Sequence, residues 1–305
     1  VACQSLNRSP SGGAIEAGTI KRCSVYDKTG VKLSCHSSIG QLSINFEHFD
    51  GGGKMALHDR HELEKGKWDE IADRHLDDVG ILEPAQDFYA YTKDDILLEG
   101  IPDFLGDLRG KQVLEIGCGE GLLSVLLAKS GARVISFDIS HVSMVVAKRR
   151  ADVNGVNILP LVSAGEFLPF PPGSFDVVFG TAILHHLASQ VGGGEIYRVL
   201  RKGGKAAFSE PMGMNPLLTF VRQHVPYKYK NPVGVDRPLT YQDMDAWTQR
   251  FRHREYHEVQ LLSMIERGFG WEHQFSLLRK IDGHLLKHKP FLRRFCRYVV
   301  ILAIK

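Results

Sequence analysis

Three groups of residues carry the chemistry available to this sequence. The first is the glycine cluster Gly117-x-Gly119-x-Gly121, entered from the apolar run Val113-Leu114-Glu115-Ile116 and left through the apolar segment Leu122 to Ala128. Glycines at the end of a buried strand let backbone N–H groups approach a ligand that a Cβ would hold off. The second is Asp138, which closes another apolar run, Arg133 to Phe137, about 20 residues on, where a doubly wound sheet hydrogen-bonds a ribose. Together these describe a nucleoside site. The third is the adjacent pair His185-His186, with Glu210 further along the chain. Imidazole titrates near neutrality and suits the removal of a proton from a hydroxyl, and a carboxylate can orient the ring and stabilise the imidazolium. Adjacent side chains at the end of a strand point apart, so one histidine can face a cofactor while the other faces a substrate.

These groups need strands that all end at one edge. Strands are predicted at Val113–Ile116, Arg133–Phe137, Ile158–Val162, Ser174–Phe179 and Lys205–Ser209, with a helix over Gly194–Leu200 and one or two more within Asp87–Leu108. Two further strands are predicted at Glu258–Ser263 and Arg297–Ile304. Strands alternating with helices predict an α/β fold, a doubly wound and mostly parallel sheet with helices on both faces. Ligands in such sheets lie beyond the carboxyl ends of the strands, the edge where the residues named above fall.

The glycine spacing narrows the nucleoside. A dinucleotide site wants G-x-G-x-x-G, and Leu122 stands where its third glycine would fall. Glu115 would repel a pyrophosphate but suits a ligand carrying an ammonium group. Val113 to Gly121 resembles motif I of the class I S-adenosylmethionine-dependent methyltransferases, (V/L)-L-(E/D)-(I/V/L)-G-x-G-x-G. The segment Ser163-Ala164-Gly165-Glu166-Phe167-Leu168-Pro169-Phe170 is similar to the family's G-D-A-E-x-L-P-F, which closes over the adenine; Ala164 replaces the usual aspartate. Leu184-His185-His186-Leu187 resembles the L-H-H-(L/M) of small-molecule methyltransferases of the ubiquinone-biosynthesis-like group.

The resemblance covers roughly Asp87 to the C-terminus. It implies a seven-stranded Rossmann-like sheet whose last strand is antiparallel and inserted beside the fifth, with S-adenosylmethionine as cofactor and no metal. It implies cofactor contacts from Glu115, Gly117, Cys118, Gly119, Gly121, Asp138, Ile139, Gly165, Glu166, Phe167, Thr181 and Tyr91. It also implies a base at His186, or at His185, supported by Glu210 at the end of the fifth strand. Because the cofactor supplies the hard chemistry, the protein mainly aligns donor and acceptor. The expected reaction is O-methylation of a small-molecule hydroxyl. C-methylation of a quinone or lipid, N- or S-methylation of a small metabolite, and a non-catalytic nucleotide-binding partner stay open. Methylation of nucleic-acid amino groups is disfavoured, since Thr181-Ala182-Ile183-Leu184 stands where (D/N)-P-P-(Y/F) would follow the fourth strand.

A chain of 305 residues, 43% hydrophobic, can bury a full core, and a net charge of +3 is too slight to point to nucleic acid. No apolar run approaches the ~18 residues of a membrane-spanning helix. Five cysteines (Cys3, Cys23, Cys35, Cys118, Cys296) form no C-x-x-C pair, which predicts free thiols in a reducing compartment, cytoplasmic or an organelle lumen. Residues 1–53 are read as a Ser/Gly/Lys-rich extension, poorly ordered or a targeting remnant, with Gly51-Gly52-Gly53 as a hinge. Residues 54–110 are read as a helical cap and 111–305 as the methyltransferase domain. An insertion at about 212–254, carrying Phe220, Tyr227, Tyr229, Tyr241, Trp247 and Phe251 among Arg222, Lys228, Lys230 and Arg237, is expected to be a lid that sets substrate specificity. Basic residues from Arg279 to Arg297, interleaved with apolar ones, read as a solvated face or a peripheral contact with an anionic membrane. Oligomeric state is not legible.

Overall fold

The computed structural model describes residues 23–26, 32–38, 41–46, 57–76, 79–224, 237–268 and 276–305. The chain divides into two units, Val1–His48 and Phe49–Lys305. In the first, β1 (Cys23–Tyr26), β2 (Lys32–Ser38) and β3 (Gln41–Phe46) form an antiparallel sheet in the order β1-β2-β3. Sequence reading missed these strands, because Ser, Gly and Lys dilute the short alternations Leu33-x-Cys35 and Leu42-x-Ile44-x-Phe46. The expected hinge at Gly51-Gly52-Gly53 lies outside the described residues.

The second unit opens with three helices, α1 (Leu57–Asp73), α2 (Phe88–Thr92) and α3 (Ile101–Leu105). Strands and helices then alternate: β4 (Gln112–Ile116), α4 (Leu122–Lys129), β5 (Arg133–Asp138), α5 (His141–Val153), β6 (Ile158–Val162), β7 (Phe175–Thr181), α6 (Ser189–Val199) and β8 (Leu200–Pro211). The chain closes with α7 (Pro216–His224), α8 (Tyr241–Thr248), β9 (His253–Val259), α9 (Met264–Gly268), α10 (Ser276–His288) and β10 (Tyr298–Ile304). The seven strands β4 to β10 form one sheet in the order β6-β5-β4-β7-β8-β10-β9. The pairs among β4 to β8 are parallel, while β10 runs antiparallel to both β8 and β9. This is the doubly wound sheet the sequence predicts, with its last strand inserted beside the fifth.

Period-two alternation builds a core on each face. Val113, Val134, Val177, Val300 and Leu302 pack with Leu126 of α4 and Ala147 of α5 on one side, together with Phe88 and Ile101 from α2 and α3. Leu114, Ile116, Val178, Val299 and Ile301 pack with Ile196 and Val199 of α6 and Trp247 of α8 on the other. Residues 113–116 are buried on both faces, which explains the unbroken apolar run leading to the glycines.

Two elements differ in their bounds from the expected ones. The strand expected at Glu258–Ser263 is β9, at His253–Val259. It is the edge of the sheet, and its polar residues His253-Arg254-Glu255 are exposed on both faces, which masks the strand pattern. Beyond it, Gln260 turns at φ +62, and the N–H groups of Leu261, Leu262 and Ser263 donate to the Asp282 carboxylate instead of to a strand. Helix α6 starts at Ser189, not Gly194, because Gly192 and Gly193 give close access to α8: a Cβ on Gly192 would lie 2.4 Å from the Trp247 ring.

Within the 212–254 insertion, Met212, Leu239, Met244 and Trp247 are buried in the second core layer. Tyr227, Lys228, Tyr229 and Lys230 lie outside the described residues. Among the described residues no helix is long and apolar enough to cross a membrane.

Candidate active site

The carboxyl ends of β4, β5 and β7 meet around a cavity of about 150 Å³. Gly117 and Cys118 donate their N–H groups to the Phe137 carbonyl, at 2.7 and 3.2 Å, which folds the glycine loop over the end of β5. Gly119, at φ +50, donates its N–H to Asp138 Oδ2 at 2.9 Å, and a Cβ built on it would meet nothing within 4 Å. It is a bare stretch of backbone opening on the cavity, the surface a close-approaching ligand needs. Gly121, at φ +75, caps the start of α4 on the other side of the loop, where a Cβ would sit 2.6 Å from that of Ala147. Ala182, on the cavity wall after β7, is held at φ +51, a strained conformation for a residue with a Cβ.

Of the residues expected to bind the cofactor, Gly117, Gly119, Asp138, Ile139, Gly165, Glu166 and Thr181 line this cavity, as does His186. Asp138 accepts a second N–H from Ser140 at 2.9 Å. Burial pushes its carboxyl up, opposed by the N–H donors of Ser140, Gly119 and Ile139.

The remaining candidates lie elsewhere. Ile116 takes the cavity side of β4, so alternation sends Glu115 to the opposite face, where Ser124 of α4 donates to it and Ser136 donates to Ser124 at 2.7 Å. Burial pushes Glu115 up to about 8, with the Ser124 hydrogen bond offsetting part of the rise. A carboxyl placed there braces strand to helix and lies outside the cavity lining. Cys118 and Gly121 stand behind the loop, and burial pushes the Cys118 thiol well up. Tyr91 packs against the first core layer, and Phe167 faces a separate surface groove with Arg198.

The histidine pair is arranged differently from the expectation. Leu184–His186 form a 3-10 turn, in which successive side chains diverge by about a third of a turn. His186 therefore points into the cavity while His185 turns back toward β8. Glu210 supports His185 and not His186: His185 Nδ1 lies 2.8 Å from Glu210 Oε2. The same carboxylate accepts the N–H groups of Ile183 and Leu184 at 2.8 Å and that of His185 at 3.4 Å. His186 Nδ1 lies 3.2 Å from Glu64 Oε1, with both side chains buried. The two rings are 4.1 Å apart between centroids.

Glu64 belongs to α1, which falls within the helical cap expected over 54–110; what sequence reasoning missed is that this helix contributes to the site. His61, Glu64 and Trp68 share one helical face and reach into the cavity. Arg60 Nη2 and His61 Nε2 meet the Glu166 carboxylate at 2.8 and 3.2 Å. Burial pushes Glu166 up, but the His61 hydrogen bond and the charges of His61 and Arg60 outweigh it and hold the carboxyl below its ordinary value. Trp68 stands edge-on to His186 with centroids 6.3 Å apart. The signal was present as the spacing His61, Glu64, Trp68 inside a charged helix, a pattern that otherwise reads as a solvated face. No described residue of the 212–254 insertion lines the cavity; Arg237 instead pairs with Asp243 of α8, and Arg222 bonds the Met212 carbonyl. With α1 seated, the cavity is smaller than the roughly 300–1,000 Å³ of small-molecule pockets. A wider groove of about 970 Å³ between Asp95, Glu258 and Lys280 contains none of these strand-end residues.

Residues 114–208 match the model of a methyltransferase domain family. The chain carries a class I S-adenosylmethionine-dependent methyltransferase domain. Curated relatives of the domain include a ubiquinone biosynthesis O-methyltransferase of Bordetella parapertussis, 32% identical over 117 residues, which are 38% of this chain and 48% of the relative. Another, from Nitrosococcus oceani, is 31% identical over 150 residues, 48% of this chain and 60% of the relative. The chain thus spans between about half and just under two thirds of the curated relatives it matches. Among solved structures, geranyl diphosphate methyltransferase in complex with GPP and sinefungin superposes with a TM-score of 0.55 at 16% identity, covering 81% of this chain and 99% of that one. The [4+2]-cyclase SpnF superposes at 0.52 and 15% identity, covering 81% and 96%. These structures share the methyltransferase domain's fold, and the cyclase among them shows why the reaction has to be argued from the site.

Proposed function

We propose that the chain binds S-adenosylmethionine at the ends of β4 and β5 and transfers its methyl group to a hydroxyl of a small molecule, with His186 as the base. The observation carrying this reading is that His186 lines the same cavity as Gly117, Gly119 and Asp138. The residues fit the cofactor. Gly119 offers bare backbone, Asp138 keeps lone pairs beyond its two N–H contacts for ribose hydroxyls, and the Gly165–Glu166 turn borders the same space.

The bound cofactor supplies an electrophilic methyl on a sulfonium. The protein's tasks are then alignment, exclusion of water and removal of one proton. The buried imidazole of His186 is suited to the last. Relatives named as O-methyltransferases support oxygen as the acceptor atom. C-methylation of a quinone or other lipid is the second reading. Leu277 and Phe291 are 64% and 65% exposed close in sequence to the basic residues Lys280, Lys287 and Arg294, a surface suited to taking a lipophilic acceptor from an anionic membrane.

Calorimetry with S-adenosylmethionine and with NAD tests the cofactor. Binding of the first alone is expected, and tight binding of NAD alone overturns the reading. Mass spectrometry of extracts incubated with methyl-labelled cofactor identifies the acceptor and separates O- from C-methylation. With that acceptor, His186→Gln is expected to lower kcat by about 10²–10⁴-fold while cofactor affinity stays within about twofold. Unchanged turnover would remove His186 from the chemistry.

A further inference from the structure

Helix α1 is attached to the domain mostly through polar contacts, and these end at the site. Its buried residues, among those described, are Ala72 and Glu64. Ala72 rests on Val146 of α5 in a small apolar cluster. Trp68 stands edge-on to His186, and the polar attachments among the described residues include Arg60 and His61 on Glu166, Glu64 on His186, and Asp69, which accepts from Ser140 Oγ at 2.5 Å and from the Val142 N–H at 3.2 Å. Such a helix can leave without uncovering a large apolar surface. It also has reason to leave, because the cavity beneath it is too small for a nucleoside while His61, Glu64 and Trp68 are seated.

We propose that Glu64 is a positioning residue for His186, delivered by α1, so that the base is set only when the helix closes over the site. The inference rests on the reading of His186 as base. A neutral imidazole carries its proton on one nitrogen and a lone pair on the other. With Nδ1–H donating to Glu64 Oε1, the lone pair lies on Nε2, and the ring is fixed in plane and in tautomer. When a substrate hydroxyl is methylated, its O–H bond breaks and the proton passes to Nε2. The O–C bond forms as the S–C bond breaks, with that electron pair staying on sulfur. The imidazolium so formed sits against the Glu64 carboxylate, and it returns its proton to water when α1 reopens. Closure therefore excludes water and completes the base in one movement. His185 offers no such switch, since its carboxylate comes from β8.

The test does not require a known acceptor. Two-bond ¹H–¹⁵N spectra of histidine-labelled protein at pH 8, with His186 assigned by its loss in His186→Gln, report the tautomer directly. Nδ1–H is expected in the parent protein, and a mixture of tautomers in Glu64→Leu. Glu64→Gln, which keeps an acceptor oxygen, is expected to keep the tautomer. An Nε2–H ring in the parent protein, or no change in Glu64→Leu, overturns the proposal. Catechol and methyl-labelled S-adenosylmethionine supply the second readout. Glu64→Leu is expected to lower kcat by about 10–100-fold with KM for the cofactor unchanged, and Glu64→Asp to recover part of the rate; a parent-like kcat in Glu64→Leu overturns the proposal. If the parent protein binds no S-adenosylmethionine, the cofactor reading has failed, while the tautomer result still decides whether Glu64 positions the ring.

Discussion

His185 and His186 are neighbours with their rings 4.1 Å apart, and each has a carboxylate at Nδ1. The two carboxylates belong to different kinds of structure. Glu210 sits in β8, fully buried, accepting the N–H groups of Ile183, Leu184 and His185 as well as bonding the His185 ring. Glu64 sits on a charged helix with one buried apolar residue among those described, and among the described residues it hydrogen-bonds His186 alone. The same chemical pair is thus a brace in one case and a removable contact in the other. What separates them is how many groups of the scaffold depend on the acid.

The largest expected effect tests that difference on stability. Glu210→Ala leaves up to three backbone donors and one ring nitrogen without their acceptor, and each buried unmet donor costs about 1–3 kcal/mol. With partial relief by water, a loss of about 3–6 kcal/mol is expected in urea unfolding. Glu64→Ala removes one contact and should cost about 1 kcal/mol. Equal losses would break the comparison, and Glu210 would then be no more structural than Glu64.

This contrast also marks what the sequence made legible. The sheet and glycine loop could be read because fully buried strands leave unbroken apolar runs and Gly119 and Gly121 interrupt them at the ligand edge. Glu115 was legible as an acid but its direction was misread; alternation with Ile116 places it on the far face. The two histidines were legible as a pair, but their partners were not. Glu64 and His186 are 122 residues apart, and Arg60 and Glu166 are 106 apart, so no local pattern joins them. A helix held by long-range polar contacts looks, in sequence, like any solvated helix. β9 failed for a related reason, since an edge strand need bury little.

A smaller effect sharpens the helix side of the comparison. Asp69→Ala removes the acceptor for Ser140 Oγ and the Val142 N–H without touching either histidine. The loss should be about 1–1.5 kcal/mol, confined to α1. Hydrogen exchange is the suitable probe: amides of α1 should exchange about tenfold faster, since 1.4 kcal/mol is a factor of ten, while those of β8 stay as protected as before. Equal loosening of both elements would mean that α1 is not a separate opening unit.

The smallest effect is a pH dependence whose sign differs between front and back of the site. Glu166, which holds Arg60 and His61, has its carboxyl lowered in the folded protein from an ordinary value of 4.5. Its contribution is complete above that value and is lost as pH falls through the lowered folded value. Glu115 is raised to about 8, so its contribution is complete below 4.5 and is lost as pH rises through 8. Acidification should therefore release α1 while leaving the junction of β4 and α4 closed, and alkaline pH should do the reverse. For Glu166 the effect should stay below about 1 kcal/mol, because Arg60 and His61 are about a fifth exposed and solvent screens the pair. Hydrogen exchange at acid pH, corrected for intrinsic rates, should show extra exchange in α1 that Glu166→Gln abolishes. Glu115→Gln should remove the loss of stability between about pH 4.5 and 8 and leave the acid release of α1 as it was. If instead Glu115→Gln moves the acid release, the helix is tied to the back of the glycine loop, and the separation of brace from removable helix does not hold.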